Sequence, residues 1–269
     1  MFIRFSSEIR LTRWLAHALF SLWLALGLSA QAKPVVADSH SASITLVGED
    51  DWYPYSGLKA GKLHGFAVDV ITAAYAAMNI KVKYLAAPYA RCLKLVETGQ
   101  ELGCFDSLNE AKLSEHFLFH QVPIFEAEIG IYAAADSSQS GLRASDLSGQ
   151  RVGLTHGYTY TDVIDNDHSI VREMAPSDYS NLRKLALKRS DYSLVYTRVV
   201  DYLSALYPQE LQGKIKQVGT LSVDKLYVSF SKRRPEAARY ASLLDQGLLK
   251  IRKNGVYAKL EQAWRQAAY

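Results

Sequence analysis

The chain has 269 residues, 49% of them hydrophobic, with a formal net charge of +4, seven histidines and two cysteines. That charge is too near neutral for a nucleic-acid binder, and the one basic run, Lys232-Arg233-Arg234, reads as a solvated helix start. The seven histidines are scattered and no dense metal-ligand spacing stands out, so neither metal nor cofactor is expected.

The first 32 residues read as a leader. Arg4, Arg10 and Arg13 precede a nearly continuous apolar run from Trp14 to Leu28, followed by the small-x-small site Ala30-Gln31-Ala32. This is the layout of a cleaved secretory signal peptide, and the run is short for a span of about 20 residues. Residues 1–32 are therefore expected to be removed, with 33–42 a flexible leader and the product soluble in the periplasm. What remains, about 240 residues, suits one large domain or two lobes. In an oxidising compartment Cys92 and Cys104 are expected to form a disulfide, with two buried thiols or a redox pair as alternatives.

In chain order, Ser43–Val47 is β-branched and alternating, a first strand. It runs into an acidic, aromatic loop, Glu49 to Tyr55, in which Trp52, Tyr53 and Tyr55 surround Pro54. Such rings either wall a ligand pocket or cap the core. A helix follows over 67–78, then a strand over 80–85. The stretch Pro88–Lys112 reads as helix, Gly99 stop, a short strand at Cys104-Phe105, and a polar turn with Asp106, Ser107 and Asn109 before Lys112 on the next helix. In open α/β sheets the carboxyl end of a strand is where ligands bind. Strands are expected at 117–119 and 129–134, and a boundary at 136–141.

A second series starts at Leu142: a helical turn at 143–147, strands at 150–154, 169–174 and 191–196, and helices towards Ile164, over 178–188 and over 198–206. Thr155-His156-Gly157-Tyr158-Thr159 lies at the carboxyl end of the first of these strands. A strand at 225–231 returns to the first half, and two helices, 235–252 and 255–267, close the chain. Strand–helix alternation in both halves gives an α/β fold with a mostly parallel sheet.

Tyr53-Pro54-Tyr55, Gly61 and Gly65-Phe66-Ala67-Val68-Asp69-Val70, then Ser148–Leu154 with Gly157-Tyr158-Thr159, and finally Asn254-Gly255-Val256-Tyr257 with Trp264 resemble the ordered motifs of the bacterial extracellular solute-binding proteins of family 3, the polar-amino-acid type. The resemblance covers essentially the whole mature chain. It implies a two-lobed periplasmic-binding-protein-like fold (type II). Lobe 1 would comprise 43–132 and 225–269, lobe 2 would comprise 133–224, and a hinge would cross near 131–141 and 219–225.

It also implies an interlobe solute site and a non-enzymatic monomer serving an ABC permease or a sensor receptor. The chain departs from the family's α-amino-acid clamp at both ends: Lys112 stands for the arginine that forks the ligand carboxylate, and Tyr196 for the aspartate that takes the amino group. Arg91 follows Pro88-Tyr89 as in a P-W-x-R branch and either replaces the fork or is a solvated surface residue.

The expected site is thus an aromatic wall of Trp52, Tyr53, Tyr55 and Phe66, polar contacts from Ser107, Asn109 and Tyr196, and an anion site from Lys112 or Arg91 with the amides of Thr155, Gly157, Tyr158 and Thr159. The expected solute is small and polar or anionic, an amino acid, a derivative or an organic acid. A periplasmic dehydratase on the same fold, using Glu49, Asp50, Asp51 or His156, and a ligand-presenting sensory partner are the alternatives.

Overall fold

A computed structural model describes residues 42–266. The expected signal peptide and nearly all of the expected leader lie outside the described residues. Strand β1 (Ala42–Glu49) alternates in burial at first and is then buried on both faces, as a central strand should be. Where a loop was expected, Glu49 leads into a small antiparallel sheet: β2 (Asp51–Trp52), β3 (Ser56–Lys59) and β4 (Lys62–His64). Two- to four-residue strands are too short for a period-2 pattern to register in sequence.

Helix α1 (Phe66–Ala76) buries Val70, Ile71, Ala74 and Tyr75, and the Tyr75 hydroxyl donates to the carbonyl of Tyr240 at 2.9 Å. Strand β5 (Ile80–Ala87) pairs in parallel with β1 along its whole length. Helix α2 (Tyr89–Glu97) ends at Gly99, whose φ of +79° continues the chain in the left-handed region.

Strand β6 is longer than the expected Cys104-Phe105 pair. It spans Gly103–Leu108, so Asp106 and Ser107 lie within it. A short helix α3 (Ala111–Ser114), β7 (Phe117–Phe119) and β8 (Phe125–Ala134) follow. A disulfide joins Cys92 of α2 to Cys104 of β6, with Cα atoms 5.7 Å apart. It lies in a small apolar cluster with Val47, Ala87, Tyr89 and Val96, apart from the main core.

After a single 3-10 turn (Ala144–Leu147) come β9 (Arg151–Thr155), α4 (Asp162–Asn166), β10 (Val171–Ala175), α5 (Asp178–Ala186), β11 (Tyr192–Tyr196), α6 (Thr197–Leu206) and α7 (Pro208–Leu211). Strand β12 then runs seventeen residues, Ile215–Ser231, before α8 (Ala237–Lys253) and α9 (Val256–Gln266).

The main sheet has the order β10-β9-β11-β8-β12-β6-β1-β5, with β7 also on β12. Pairs at either end are parallel, whereas β8 and β12 pair antiparallel with each other and with their neighbours. Residues 131–134 and 219–225 of the expected crossings lie in strands β8 and β12, and one nine-stranded sheet runs through both halves. The first part of β12 escaped sequence reading for a physical reason. Register shifts at Gln217/Gly219 and Thr220/Ser222 flip the alternation twice within six residues. Helix α1 packs on α8, and the Trp264 indole N–H of α9 donates to Asp69 of α1 at 2.9 Å.

Candidate functional site

The carboxyl ends of β1, β6, β9 and β11 converge on a small cavity of about 20 Å3. Glu49 and Trp52 enter from the end of β1, Tyr89 from the start of α2, and Asp106 and Leu108 from β6; Tyr158, Thr159 and Tyr196 come from the opposite half. The walls are fixed by direct contacts between the halves. The Tyr158 hydroxyl donates to Glu49 Oε1 at 2.7 Å, and the Tyr89 and Tyr158 rings meet edge to face at 5.6 Å. Trp52 stacks on Tyr55 at 4.4 Å and meets Tyr196 edge-on at 4.9 Å, while the Tyr196 hydroxyl donates to Asp224 Oδ2 at 3.0 Å.

Two glycines let these surfaces approach. A Cβ on Gly48 would fall 2.0 Å from the Phe105 ring, so Phe105 can lie against β1 only because residue 48 has no side chain. At Gly157, φ is +86° and an added Cβ would sit 2.9 Å from Ala90 Cβ, so the 155–160 turn rests directly on the start of α2.

Asp106 is the unusual residue of the site. Its neighbours Phe105 and Ser107 face Val228 and Tyr227, so Asp106 is an extra residue bulged out of the β6–β12 ladder. Its φ of +66° lies in the left-handed region, which costs a non-glycine residue on the order of 1 kcal/mol. The bulge puts a carboxylate only 7% exposed at the cavity. Neither of its oxygens has a hydrogen-bond partner; the nearby Ser56 hydroxyl favours the ionised form but falls short of bonding geometry. Burial pushes the Asp106 pKa up to about 8.

Glu49 is also pushed well above the usual carboxylate range, first by burial, and the Tyr158 hydrogen bond offsets this only in part. Glu49 and Tyr89 line a second, larger cavity with Asp50, Asp51, His156 and Asp178. Asp178, 3% exposed at the first turn of α5, accepts from the Thr155 hydroxyl through Oδ1 while Oδ2 is unpartnered. Burial raises it to about 7 in spite of that bond. Asp224, behind Tyr196, is raised by burial too.

The sequence model of the bacterial extracellular solute-binding proteins, family 3, matches residues 44–267. The chain belongs to that family. A curated relative from Vibrio harveyi, provisionally named amino-acid ABC transporter-binding protein PatH, is 21% identical over 252 residues, 90% of this chain and 96% of PatH. An ancestral arginine-binding protein bound to arginine superposes with a TM-score of 0.71 at 18% identity, covering 83% of this chain and 98% of its own. A histidine kinase sensor domain similar to periplasmic binding proteins gives a TM-score of 0.71 at 19% identity, over 82% of this chain and 95% of its own. At such identities the two structures establish the fold, an α/β arrangement with a mixed sheet and flanking helices.

In this family-3 protein the predicted site residues are dispersed. Trp52, Tyr158, Thr159 and Tyr196 line the small cavity. Thr155 lines the larger neighbouring cavity, where its hydroxyl also accepts from Asn181 Nδ2 at 3.0 Å, and Gly157 supports the turn between. Tyr55 and Phe66 line a separate groove with Phe125, on which Tyr55 stacks at 4.9 Å. Tyr53 lies outside the cavity, against Tyr202 at 4.6 Å, with the Lys59 ammonium 3.8 Å from its ring.

Ser107 is wholly buried and bonds to Ser229 at 3.0 Å and to the Cys104 carbonyl, within the sheet. Asn109 is exposed and accepts from the Ser114 hydroxyl at 2.8 Å. Arg91 and Lys112 are exposed as well, and neither lines these cavities.

Sequence reading passed over Glu49, Tyr89, Asp106 and Asp178 as ligand residues. Asp106 carried one visible signal, its position after the apolar Cys104-Phe105 pair at a strand end. The bulge that aims it depends on the partner strand and leaves no local mark.

Proposed function

We propose that the chain is an exported, non-enzymatic capture protein of an ABC uptake system that holds a small polar solute, an amino acid or a derivative, in the cavity beside Glu49 and Asp106. The observation that carries this reading is the 2.7 Å Tyr158–Glu49 hydrogen bond, which bridges the wall built from residues 43–132 and the wall built from 133–224 across that cavity. A solute touching both walls favours the conformation in which they meet. The two bulges in β12 are the flexing points, because register shifts leave ladder hydrogen bonds unmade there. Delivery to a membrane permease follows from the family, and we read the chain as a monomer. Presentation to a receptor is the second reading, supported by the sensor-domain neighbour.

The test is the melting temperature of protein stripped of solute by unfolding and refolding, against amino acids, amines and organic acids. A ligand at 100 times its Kd adds about 2.7 kcal/mol, a shift of roughly 2–4 °C for a chain of this size. Consumption of a prephenate-like acid without any such shift would replace the binding reading with the dehydratase one.

A further inference from the structure

We propose that the solute is an organic cation carrying amine groups and no carboxylate, recognised by Asp106 and Glu49 within a cage of Trp52, Tyr89, Tyr158 and Tyr196. This rests on the binding-protein reading and adds the charge class of the ligand.

Among the described residues, neither this cavity nor its larger neighbour is lined by any lysine or arginine, and His156 lines only the larger one. An α-amino-acid carboxylate beside Glu49 and Asp106 therefore meets no lysine or arginine. It meets instead the carboxyl groups of Glu49 and Asp106, with Asp178 in the adjoining cavity. Burial already disfavours ionisation of Asp106 and Glu49; an anionic ligand beside them would disfavour it further, whereas a ligand cation favours it.

An independent observation points the same way. Asp106 is more than nine-tenths buried, lines the cavity and has both oxygens unpartnered, in a backbone conformation that a bulge holds. A buried carboxyl with neither oxygen partnered calls for a ligand that supplies partners, and an ammonium brings three donors that suit its ionised form. The four surrounding aromatic rings add the cation–π attraction suited to alkylammonium groups. The Trp52 indole N–H is also buried without a partner. As a neutral single donor it suits one acceptor on the ligand, such as a hydroxyl or amide oxygen, and cannot balance a carboxylate among these acids.

The test pairs molecules that differ only by the carboxylate: cadaverine against lysine, and agmatine against arginine, with glutamate and succinate as anions. Calorimetric titration into stripped wild-type protein should show the amine of each pair binding at least ten times more tightly than its amino acid, and no binding of the anions. Asp106→Asn and Glu49→Gln, both near-isosteric, should each weaken the amine at least 100-fold; circular dichroism confirms that they fold, and either variant suffices. Tighter binding of lysine and arginine than of the amines would overturn the inference and leave the binding-protein reading intact, as would tight binding of the anions. Amine binding unchanged in both variants would also overturn it. Failure of every cation, zwitterion and anion to bind would overturn both.

Discussion

Two aspartates, Asp106 buried and Asp245 half-buried, show how differently one side chain is treated in this molecule. Asp245, on α8, accepts from the backbone N–H groups of Gln121 at 2.9 Å and Val122 at 2.8 Å, and from His120 Nδ1 at 3.2 Å. His120 is itself buried, and its Nε2 accepts from the Val228 N–H at 2.9 Å, which fixes the proton on Nδ1. Burial pushes Asp245 up, but the hydrogen bonds from His120, Val122 and Gln121 outweigh it and hold the carboxyl below its usual range. Asp106 has the burial without the donors, and its carboxyl rises to about 8. The first arrangement closes the fold around β7, β12 and α8. The second leaves a buried acceptor waiting beside a cavity, which is how a ligand contact differs from a structural one.

The largest expected effect is on the structural side of this contrast. Asp245→Ala strands two backbone N–H groups and a buried imidazole N–H, and should lower unfolding free energy by about 3 kcal/mol in a urea titration. A loss under about 1 kcal/mol would dissolve the distinction between the two aspartates.

Next comes pH. A carboxyl whose folded pKa is raised contributes stability that is fully present below the unfolded value near 4 and is lost as pH rises through the folded value. With Asp106 at about 8 and Asp178 at about 7, the melting temperature of the unliganded protein should fall from about pH 5 to about pH 8. Asp245 has the opposite sign: its contribution is present above the ordinary carboxylate pKa and is lost as pH falls through its lowered folded value. A melting temperature that rises steadily from pH 5 to pH 8 would contradict these assignments.

A smaller effect belongs to Asp106→Asn. Near pH 8 it removes an unpaired buried charge, so stability should stay level or rise by up to about 1 kcal/mol, and the fall in melting temperature with pH should become shallower. Destabilisation comparable to that of Asp245→Ala would make Asp106 a structural residue. The smallest effect is expected from Arg91→Ala and Lys112→Ala, both exposed and away from the cavities. Solute affinity in either variant should stay within about twofold of wild type, since exposed charges are screened by solvent. A tenfold loss would bring them into the site.

How far the sequence reached follows the same physics. The parallel pairs β1–β5 and β9–β10 and the amphipathic α8 were legible because long apolar stretches at fixed periods mark them. The ordered family motifs placed the chain in its family before any geometry was known. Trp52, Tyr158, Thr159 and Tyr196 line the cavity because the elements that carry them end there. Arg91 and Lys112 were singled out by position along the chain, but helices α2 and α3 leave both exposed. Asp106 required the β6–β12 register, a pairing between residues more than a hundred apart. The full length of β12 was hidden by its own bulges, which break the alternation that a strand is recognised by.

The most direct measurement is proton release on binding. Cadaverine titrated into stripped protein at pH 7, in buffers of different ionisation enthalpy, reports the protons exchanged per ligand bound. Burial favours the protonated form of Asp106, and of Glu49 beside it, and either must ionise to hold an ammonium, so the account predicts proton release on binding, with about one proton fewer released per amine in Asp106→Asn. Binding with no proton exchange, or with proton uptake, would contradict the assignment of Asp106 as the group that meets the solute's positive charge.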